Sequence, residues 1–171
     1  MVKEIIAPNL YTPNYNEVSV FLAGGITGCK EWQQMVVESL NRYDDVDDLV
    51  VYNPRQKFFD LNNLNATENQ IEWEYKYLSD CDIFSMYFDN DQIQPICMYE
   101  LGRHLKANSI RNVISVCENY PRRLDVMHQV RLVSRGRFYV DMLATPRKHA
   151  ERIHDAYLTA RSKNENFWRD K

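Results

Sequence analysis

The stretch Val18-Ser19-Val20-Phe21-Leu22-Ala23-Gly24-Gly25 decides the fold class of this chain. It is mostly apolar and β-branched and stops at two glycines, so it predicts a buried strand that enters a tight turn. Leu49 to Tyr52 is a second short strand, ended by Asn53-Pro54 because proline cannot donate a hydrogen bond within a sheet. Apolar residues at helical spacing between the strands predict an amphipathic helix; they are Trp32, Met35, Val36, Leu40 and Tyr43. Strand, helix and strand in this order predict a βαβ unit.

The alternation of strands and helices continues along the chain. Further strands are predicted at Asp82 to Phe88, Val113 to Val116 and Phe138 to Val140. Helices are predicted at Ile71 to Leu78, at Pro95 to about Ala107, at Asp125 to Val133, and from Thr145-Pro146 onward. The Asn- and Asp-rich segment 58–69 predicts a long loop. We therefore predict an α/β fold of three layers with a five-stranded parallel sheet in the order 2-1-3-4-5. It forms a single domain over 1–171, with a lead segment at 1–16 and a tail at 162–171.

Composition narrows the class of protein. The chain has 171 residues, and 44% of them are hydrophobic, which suits one folded domain rather than a disordered chain. No apolar run is long enough for a membrane span or a signal peptide, so we expect a cytoplasmic protein without a membrane partner. The net charge is -3, which argues against a nucleic-acid partner.

Cysteine and histidine show no metal-ligand spacing. The four cysteines are scattered, and we interpret them as reduced thiols that serve packing. His149 and His154 are interpreted as a surface pair. We therefore expect no metal and no cofactor.

Glu74 is the first candidate for chemistry. At about 100 degrees per residue it shares a helix face with apolar residues, whereas Glu72 points away; the apolar residues are Ile71, Tyr75 and Leu78. A carboxylate on a packing face costs several kcal/mol unless it is paired or functional. An edge-of-face glutamate that reaches water or an arginine is the alternative interpretation.

Glu100 is the second candidate. It lies early in a helix that begins at the carboxyl end of a strand, where the helix dipole favours an ionised carboxylate and so suits a nucleophile. The alternative is a surface glutamate paired with Arg103 or His104.

A series of short motifs follows the predicted elements along the chain. The motifs are Phe21-Leu22-Ala23-Gly24-Gly25-Ile26, Trp32, Asn53-Pro54-Arg55, Gln70-Ile71-Glu72-Trp73-Glu74, Asp80-Cys81-Asp82-Ile83 and Pro95-Ile96-Cys97-Met98-Tyr99-Glu100-Leu101-Gly102. Together they resemble the nucleoside 2-deoxyribosyltransferase superfamily, in the branch with FLAGxI, NPR, QxxWE and ELG signatures. The resemblance covers about Ser19 to Gln129.

The resemblance implies a flavodoxin-like homo-oligomer that cleaves the N-glycosidic bond of a 2'-deoxynucleoside and passes deoxyribose to another base. By position, Glu100 is the nucleophile that forms a covalent glycosyl-enzyme. Glu74 stands where the superfamily usually has an aspartate that protonates the leaving base. Phe21 replaces a frequent tyrosine. The other substrate-binding residues implied are Gly24, Gly25, Ile26, Trp32, Asn53, Arg55, Asp89, Asp91, Met98 and Arg123.

Two alternatives remain beside the transferase. The first is a 2'-deoxynucleoside 5'-monophosphate N-glycosidase, a hydrolase of the same fold; here the segment Gln94 to Met98 is a poor phosphate site because it has no hydroxyl and includes a proline. Thr27 and Lys30 could still bind an anion. The second is a non-catalytic nucleotide-binding or protein-binding module. In the tail, Phe167 and Trp168 are expected to dock on a neighbouring subunit.

Overall fold

The computed structural model describes residues 1–58, 63–105, 111–134, 140–142 and 144–169, and for 111 and 163–169 it describes the main chain alone. The strands are β1 (Lys3–Ile6), β2 (Val18–Gly24), β3 (Leu49–Asn53), β4 (Ile83–Phe88), β5 (Arg111–Val116) and β6 (Val140–Asp141). The helices are α1 (Trp32–Leu40), α2 (Leu64–Asp80), α3 (Pro95–His104), α4 (Arg123–Ser134) and α5 (Pro146–Arg169). Within the described ranges, no helix combines the length and apolarity that a bilayer crossing requires.

The sheet is parallel throughout and has the strand order β1-β3-β2-β4-β5-β6. The five predicted strands lie in the predicted order, and the α/β fold class is confirmed. The predicted number of strands was wrong, because the described part of the chain forms a sheet of six. The additional strand is β1, which lies in the predicted lead segment and pairs with β3 at the sheet edge, Lys3 opposite Val50. Its four residues are all only half-buried, as is common at a sheet edge. Their sequence, Lys-Glu-Ile-Ile, therefore lacks the continuous apolar run by which the central strands were predicted.

The three layers follow from the alternation of side chains along the strands. On one face, Phe21, Tyr52 and Phe84 pack against apolar residues of α2, α3 and α4. On the other face, Val20, Leu22 and Val51 pack against α1 and α5. Because both faces are covered, the central strands are buried along their whole length, which explains their nearly continuous apolar sequence.

Several predicted boundaries change in the structure. α2 begins at Leu64 rather than Ile71, because the Asn63 side chain caps it by accepting a hydrogen bond from Ala66 N at 3.2 Å. The predicted loop therefore ends before this helix, and its residues 59–62 lie outside the described part of the chain. The same holds for 138 and 139 of the last predicted strand and for the side chains of Phe167 and Trp168.

His149 is not on the surface, so the interpretation of a surface histidine pair was wrong. His149 is on α5, and its ring is fully buried against β4 and β5, where its two nitrogens lie 2.7 Å from Ser85 Oγ and 2.7 Å from Ser115 Oγ. Burial lowers the pKa of His149 to about 3, which keeps the ring neutral. His154 is also buried and lies 2.8 Å from the Asp45 carboxylate. The hydroxyl groups of these two serines satisfy both ring nitrogens, which allows a histidine of α5 to be buried against the sheet.

The chain reverses its direction of progress across the sheet between β2 and β4. From β2 it moves outward to β3, and it then returns to β4 on the other side of β2. In parallel α/β sheets, ligands bind at the carboxyl ends of the strands that flank such a reversal. The candidate site is therefore expected beyond Gly24 and Phe88.

Candidate active site

A pocket of about 250 Å³ lies at the carboxyl ends of β2, β3 and β4. Its wall is formed by the turn after β2, the start of α3 and one side of α2. The lining residues are Phe21, Ala23, Gly24, Gly25, Ile26, Thr27, Cys29, Pro54, Glu74, Gln92, Gln94, Pro95, Ile96, Cys97 and Glu100. This set includes two carboxylates and, within the described residues, no lysine or arginine.

The turn after β2 requires glycine at position 24. Gly24 has φ +151°, and a Cβ there would lie 2.4 Å from Tyr87 O and 2.5 Å from the Trp32 ring. Trp32 is fully buried, and its Nε1 donates to Gly25 O at 2.9 Å. Trp32 therefore supports the pocket indirectly, because it holds the Gly25 main chain that forms the pocket floor.

The loop before α3 is joined to this turn by its side chains. Gln94, the N-cap residue of α3, has φ +56°, and its Oε1 accepts a hydrogen bond from Gly25 N at 3.0 Å. Its Nε2 donates to Asp89 O at 2.9 Å. Asp91 Oδ2 accepts from Lys30 N at 2.9 Å, and the two side chains form an ion pair at 3.5 Å. These contacts fix the two loops relative to each other on one side of the pocket.

Arg55 holds the turn after β2 from the β3 side. Its guanidinium donates to Lys30 O at 2.7 Å, to Gly25 O at 3.3 Å and to Gln33 Oε1 at 2.9 Å. Arg55 N donates to Asn53 Oδ1 at 3.0 Å. The Asn53-Pro54-Arg55 segment is therefore a support for the pocket wall.

Glu74 and Glu100 enter the pocket from two different helices, α2 and α3, and both are half-buried. Burial raises the pKa of Glu74, although a hydrogen bond from Gln70 opposes the rise. Burial, with a smaller contribution from the negative charge of Glu74, raises the pKa of Glu100 to about 7. Below about pH 7 the Glu100 carboxyl group therefore keeps its proton, in part because of the negative charge on Glu74.

The dipole of helix α3 does not keep Glu100 ionised, contrary to the prediction from the sequence. Glu100 lies in the second turn of α3, whereas the influence of the helix end falls off within the first turn. Desolvation outweighs it and favours the protonated form. Desolvation first, and the charge of Glu74 second, keep Glu100 protonated beside an ionised Glu74, so the pocket holds one carboxyl group in each state.

The two cysteine thiols that line the pocket are not in the ionised form that an effective nucleophile requires. Burial raises the pKa of Cys97 far above its usual range, and it raises the pKa of the half-buried Cys29 as well. Both thiols stay protonated at neutral pH, and a thiol is a much weaker nucleophile than a thiolate. Of the described lining residues, Glu100 is therefore the one whose pKa is raised to about 7.

The structure places the predicted site residues in two groups. Those that line the pocket are Phe21, Gly24, Gly25, Ile26, Glu74 and Glu100. Those that lie outside the described lining are Trp32, Asn53, Arg55, Asp89, Asp91, Met98 and Arg123. Met98 packs on the core, and Arg123 donates to Glu118 O at 2.6 Å.

The sequence patterns did not reveal the side chains that connect the walls of the pocket. Gln94 and Gln70 are the clearest examples, since each is buried and bridges two elements. The sequence carried one signal for Gln94, its position directly before a proline at the start of a helix. Gln70 stood in the QxxWE motif without a role.

The sequence of this chain also matches a protein-family model. The model described as "Nucleoside 2-deoxyribosyltransferase like" matches residues 17–120, more than half of the chain. The chain belongs to the nucleoside 2-deoxyribosyltransferase-like family. No curated protein matches it. The matched range begins just before β2 and ends after β5, so it includes both glutamates and the whole described pocket lining.

Membership in the nucleoside 2-deoxyribosyltransferase-like family confirms the resemblance stated from the motifs. It indicates a glycosyl-transferring or related enzyme with small-molecule nucleoside substrates.

Proposed function

We propose that the chain is a nucleoside 2-deoxyribosyltransferase that exchanges the base of a 2'-deoxynucleoside. The observation that carries this proposal is the pair of half-buried glutamates, Glu74 and Glu100, with raised pKa values in one pocket of a deoxyribosyltransferase-like fold. A displacement at an anomeric carbon needs one ionised nucleophile and one proton donor. Two carboxyl groups in one pocket that hold one proton between them supply both once that proton has passed from Glu100 to Glu74.

In the first half-reaction a Glu100 carboxylate oxygen attacks C1' of the deoxyribose, and the C1'–N bond breaks. Its electron pair goes to the departing base, which takes the proton from Glu74, because an unprotonated base is a poor leaving group. In the second half-reaction a nitrogen of the acceptor base attacks C1', the bond to Glu100 breaks, and Glu74 takes the acceptor's proton. Two displacements preserve the configuration at C1'.

The pocket's charge favours an uncharged nucleoside over a 5'-monophosphate. Its described lining includes two carboxylates and no cationic side chain. Lys30, which the sequence offered as a possible anion-binding residue, pairs with Asp91. A phosphate dianion beside acidic groups and without a basic partner is unfavourable, so the monophosphate hydrolase is the weaker candidate.

The deciding experiment incubates the purified protein with 2'-deoxynucleosides and their 5'-monophosphates, each with and without a second free base, and separates the products by chromatography. A new nucleoside that forms only in the presence of the acceptor base supports the transferase. Equal release of free base without an acceptor would replace the proposal with a hydrolase. Binding without any turnover would replace it with a nucleotide-binding module.

We also propose that the protein, as one domain over 1–171, assembles with copies of itself through the outer face of α2 and α3. This face exposes a row of large apolar side chains beside the two glutamates. They are Ile71 (59% exposed), Tyr75 (50%), Ile96 (66%) and Tyr99 (66%). Glu72 and Arg103 lie on the same face, so two copies related by a two-fold axis would bring opposite charges together.

A charge in the middle of this face is expected to disrupt the assembly. The wild-type protein should elute from a sizing column at twice the monomer mass or more, and Tyr99→Glu should shift it to the monomer, since burying an unpaired charge costs several kcal/mol. Leu132→Glu, at an equally exposed apolar position on α4, is the matched control. A monomeric wild type, or the same shift in both variants, would contradict this interface.

A further inference from the structure

Gln70 is a buried amide that contacts Glu74 directly. It lies one helical turn before Glu74 on α2 and is 8% exposed. Its Nε2 donates to Glu74 Oε1 at 2.7 Å and to Pro54 O at 2.9 Å. Both hydrogens of the amide nitrogen are therefore in use.

The orientation of this amide is determined by its other neighbours. Pro54 O can only accept a hydrogen bond, so the nitrogen of Gln70 must face it. The oxygen, Oε1 of Gln70, accepts a hydrogen bond from Gln56 Nε2. A flipped amide would place its oxygen against the Pro54 carbonyl oxygen and its nitrogen against the Gln56 nitrogen. The contact with Glu74 is consequently always a donation from Gln70.

This donation has a consequence for the acid. A carboxyl oxygen that accepts a hydrogen bond from an amide cannot point its own proton at that donor. We infer that Gln70 is a positioning residue of the proposed transfer reaction, which holds Glu74 Oε1 as an acceptor and thereby leaves Oε2 as the oxygen that carries and gives the proton. This inference rests on the proposed function.

The same contact connects two sequence motifs. Pro54, whose carbonyl Gln70 binds, stands between Asn53 and Arg55 at the end of β3. Arg55 holds the turn after β2, which forms the opposite wall. The end of β3 therefore sets the position of the Gly25 main chain and, through Gln70, of the Glu74 carboxyl group.

Removing the donor should also change the acidity of Glu74. A hydrogen bond donated to a carboxylate stabilises the ionised form, and the Gln70 contact opposes the rise in the pKa of Glu74 that burial causes. Without it the pKa of Glu74 rises further. The direction is specific, because loss of packing that admits water would lower the pKa instead.

The test compares Gln70→Met with Gln56→Met. Gln70→Met removes both donors at nearly constant volume, whereas Gln56→Met leaves both donors of Gln70 in place. For Gln70→Met we expect kcat for base exchange to fall about 10- to 100-fold, with KM changed less than about threefold. The falling limb of its pH profile should move to higher pH. Gln56→Met should stay within about threefold of wild type in kcat. Wild-type kcat in Gln70→Met, or equal losses in both variants, would overturn the inference.

A second measurement does not depend on turnover. Carbon-13 NMR of the glutamate carboxyl groups follows the titration of Glu74, assigned by its loss in Glu74→Gln. The pKa of Glu74 should rise in Gln70→Met, and also in Gln70→Glu, a polar variant of the same length whose ionised side chain donates nothing. An unchanged or lower pKa would overturn the role of Gln70 whether or not the wild type exchanges bases. A wild type without turnover would refute only the proposed function.

Discussion

Replacing Glu100 with glutamine is expected to reduce base exchange by at least about a thousandfold. The amide keeps the size of the side chain, but its neutral oxygen is a much weaker nucleophile than a carboxylate oxygen and does not form the glycosyl ester. The measurement is the initial rate of new nucleoside formation with a saturating acceptor base. Glu38→Gln, at an exposed position on α1 away from the outer face of α2 and α3, is the control and should retain wild-type activity.

The same substitution is expected to preserve or increase stability. The pKa of Glu100 is raised to about 7 in the folded protein, so the folded state binds this proton more tightly than the unfolded chain does. The free energy of unfolding of the wild type therefore falls as pH rises from about 4.5 through about 7, and glutamine does not have this loss. At pH 8 we expect Glu100→Gln to be more stable by an amount on the order of 1–2 kcal/mol, and at pH 4 by much less.

Activity and stability together distinguish a functional carboxylate from a structural one. Urea unfolding at both pH values gives the stability difference. A Glu100→Gln protein that loses activity because it is destabilised would contradict the role of Glu100 as nucleophile. Retained activity in a stable variant would contradict it as well.

Replacing Glu74 with glutamine is expected to reduce exchange with ordinary deoxynucleosides by about 10² to 10⁴-fold, the usual contribution of general acid catalysis. The loss should depend on the leaving base. A deoxynucleoside of an N7-methylated purine carries a positive base that departs neutral without a proton. Its cleavage by Glu74→Gln should stay within about tenfold of the wild-type rate, whereas Glu100→Gln should fail with both substrates.

The pH profile should change shape in the same variant. In the wild type the productive form of the pair holds one proton, so activity falls as pH rises through the upper pKa, about 7, and falls again at low pH when both groups are protonated. Glu74→Gln removes the proton donor and one negative charge. Its residual activity should rise with pH through a Glu100 pKa below that of the wild type and then stay constant. A profile that remains bell-shaped would show that another group donates the proton.

Much of the fold could be predicted because it depends on local patterns. The apolar runs of β2, β3 and β4 are buried on both faces, and Pro95 marks the first turn of α3. The edge strand β1 could not be predicted in this way. Its residues are half-exposed, and it exists as a strand because β3 offers unpaired main-chain groups.

The residues of the candidate site could likewise be predicted only in part. The motifs indicated Glu74 and Glu100, and the structure brings them into one pocket. Trp32 and Arg55 come from the same motifs but support the Gly25 main chain from outside the described lining. A motif shows that a residue type is required at a position. It does not show whether that side chain faces the pocket or the main chain behind it.

The alternation of strands and helices and the two candidate acids could therefore be predicted from the sequence, because periodicity, breakers and short motifs depend on neighbouring residues. The tertiary structure alone decided the pKa of Glu100, the buried setting of His149 and the link from Pro54 through Gln70 to Glu74. Each of these depends on groups far apart in the chain, since desolvation and hydrogen bonding act through space and are set only when the elements pack.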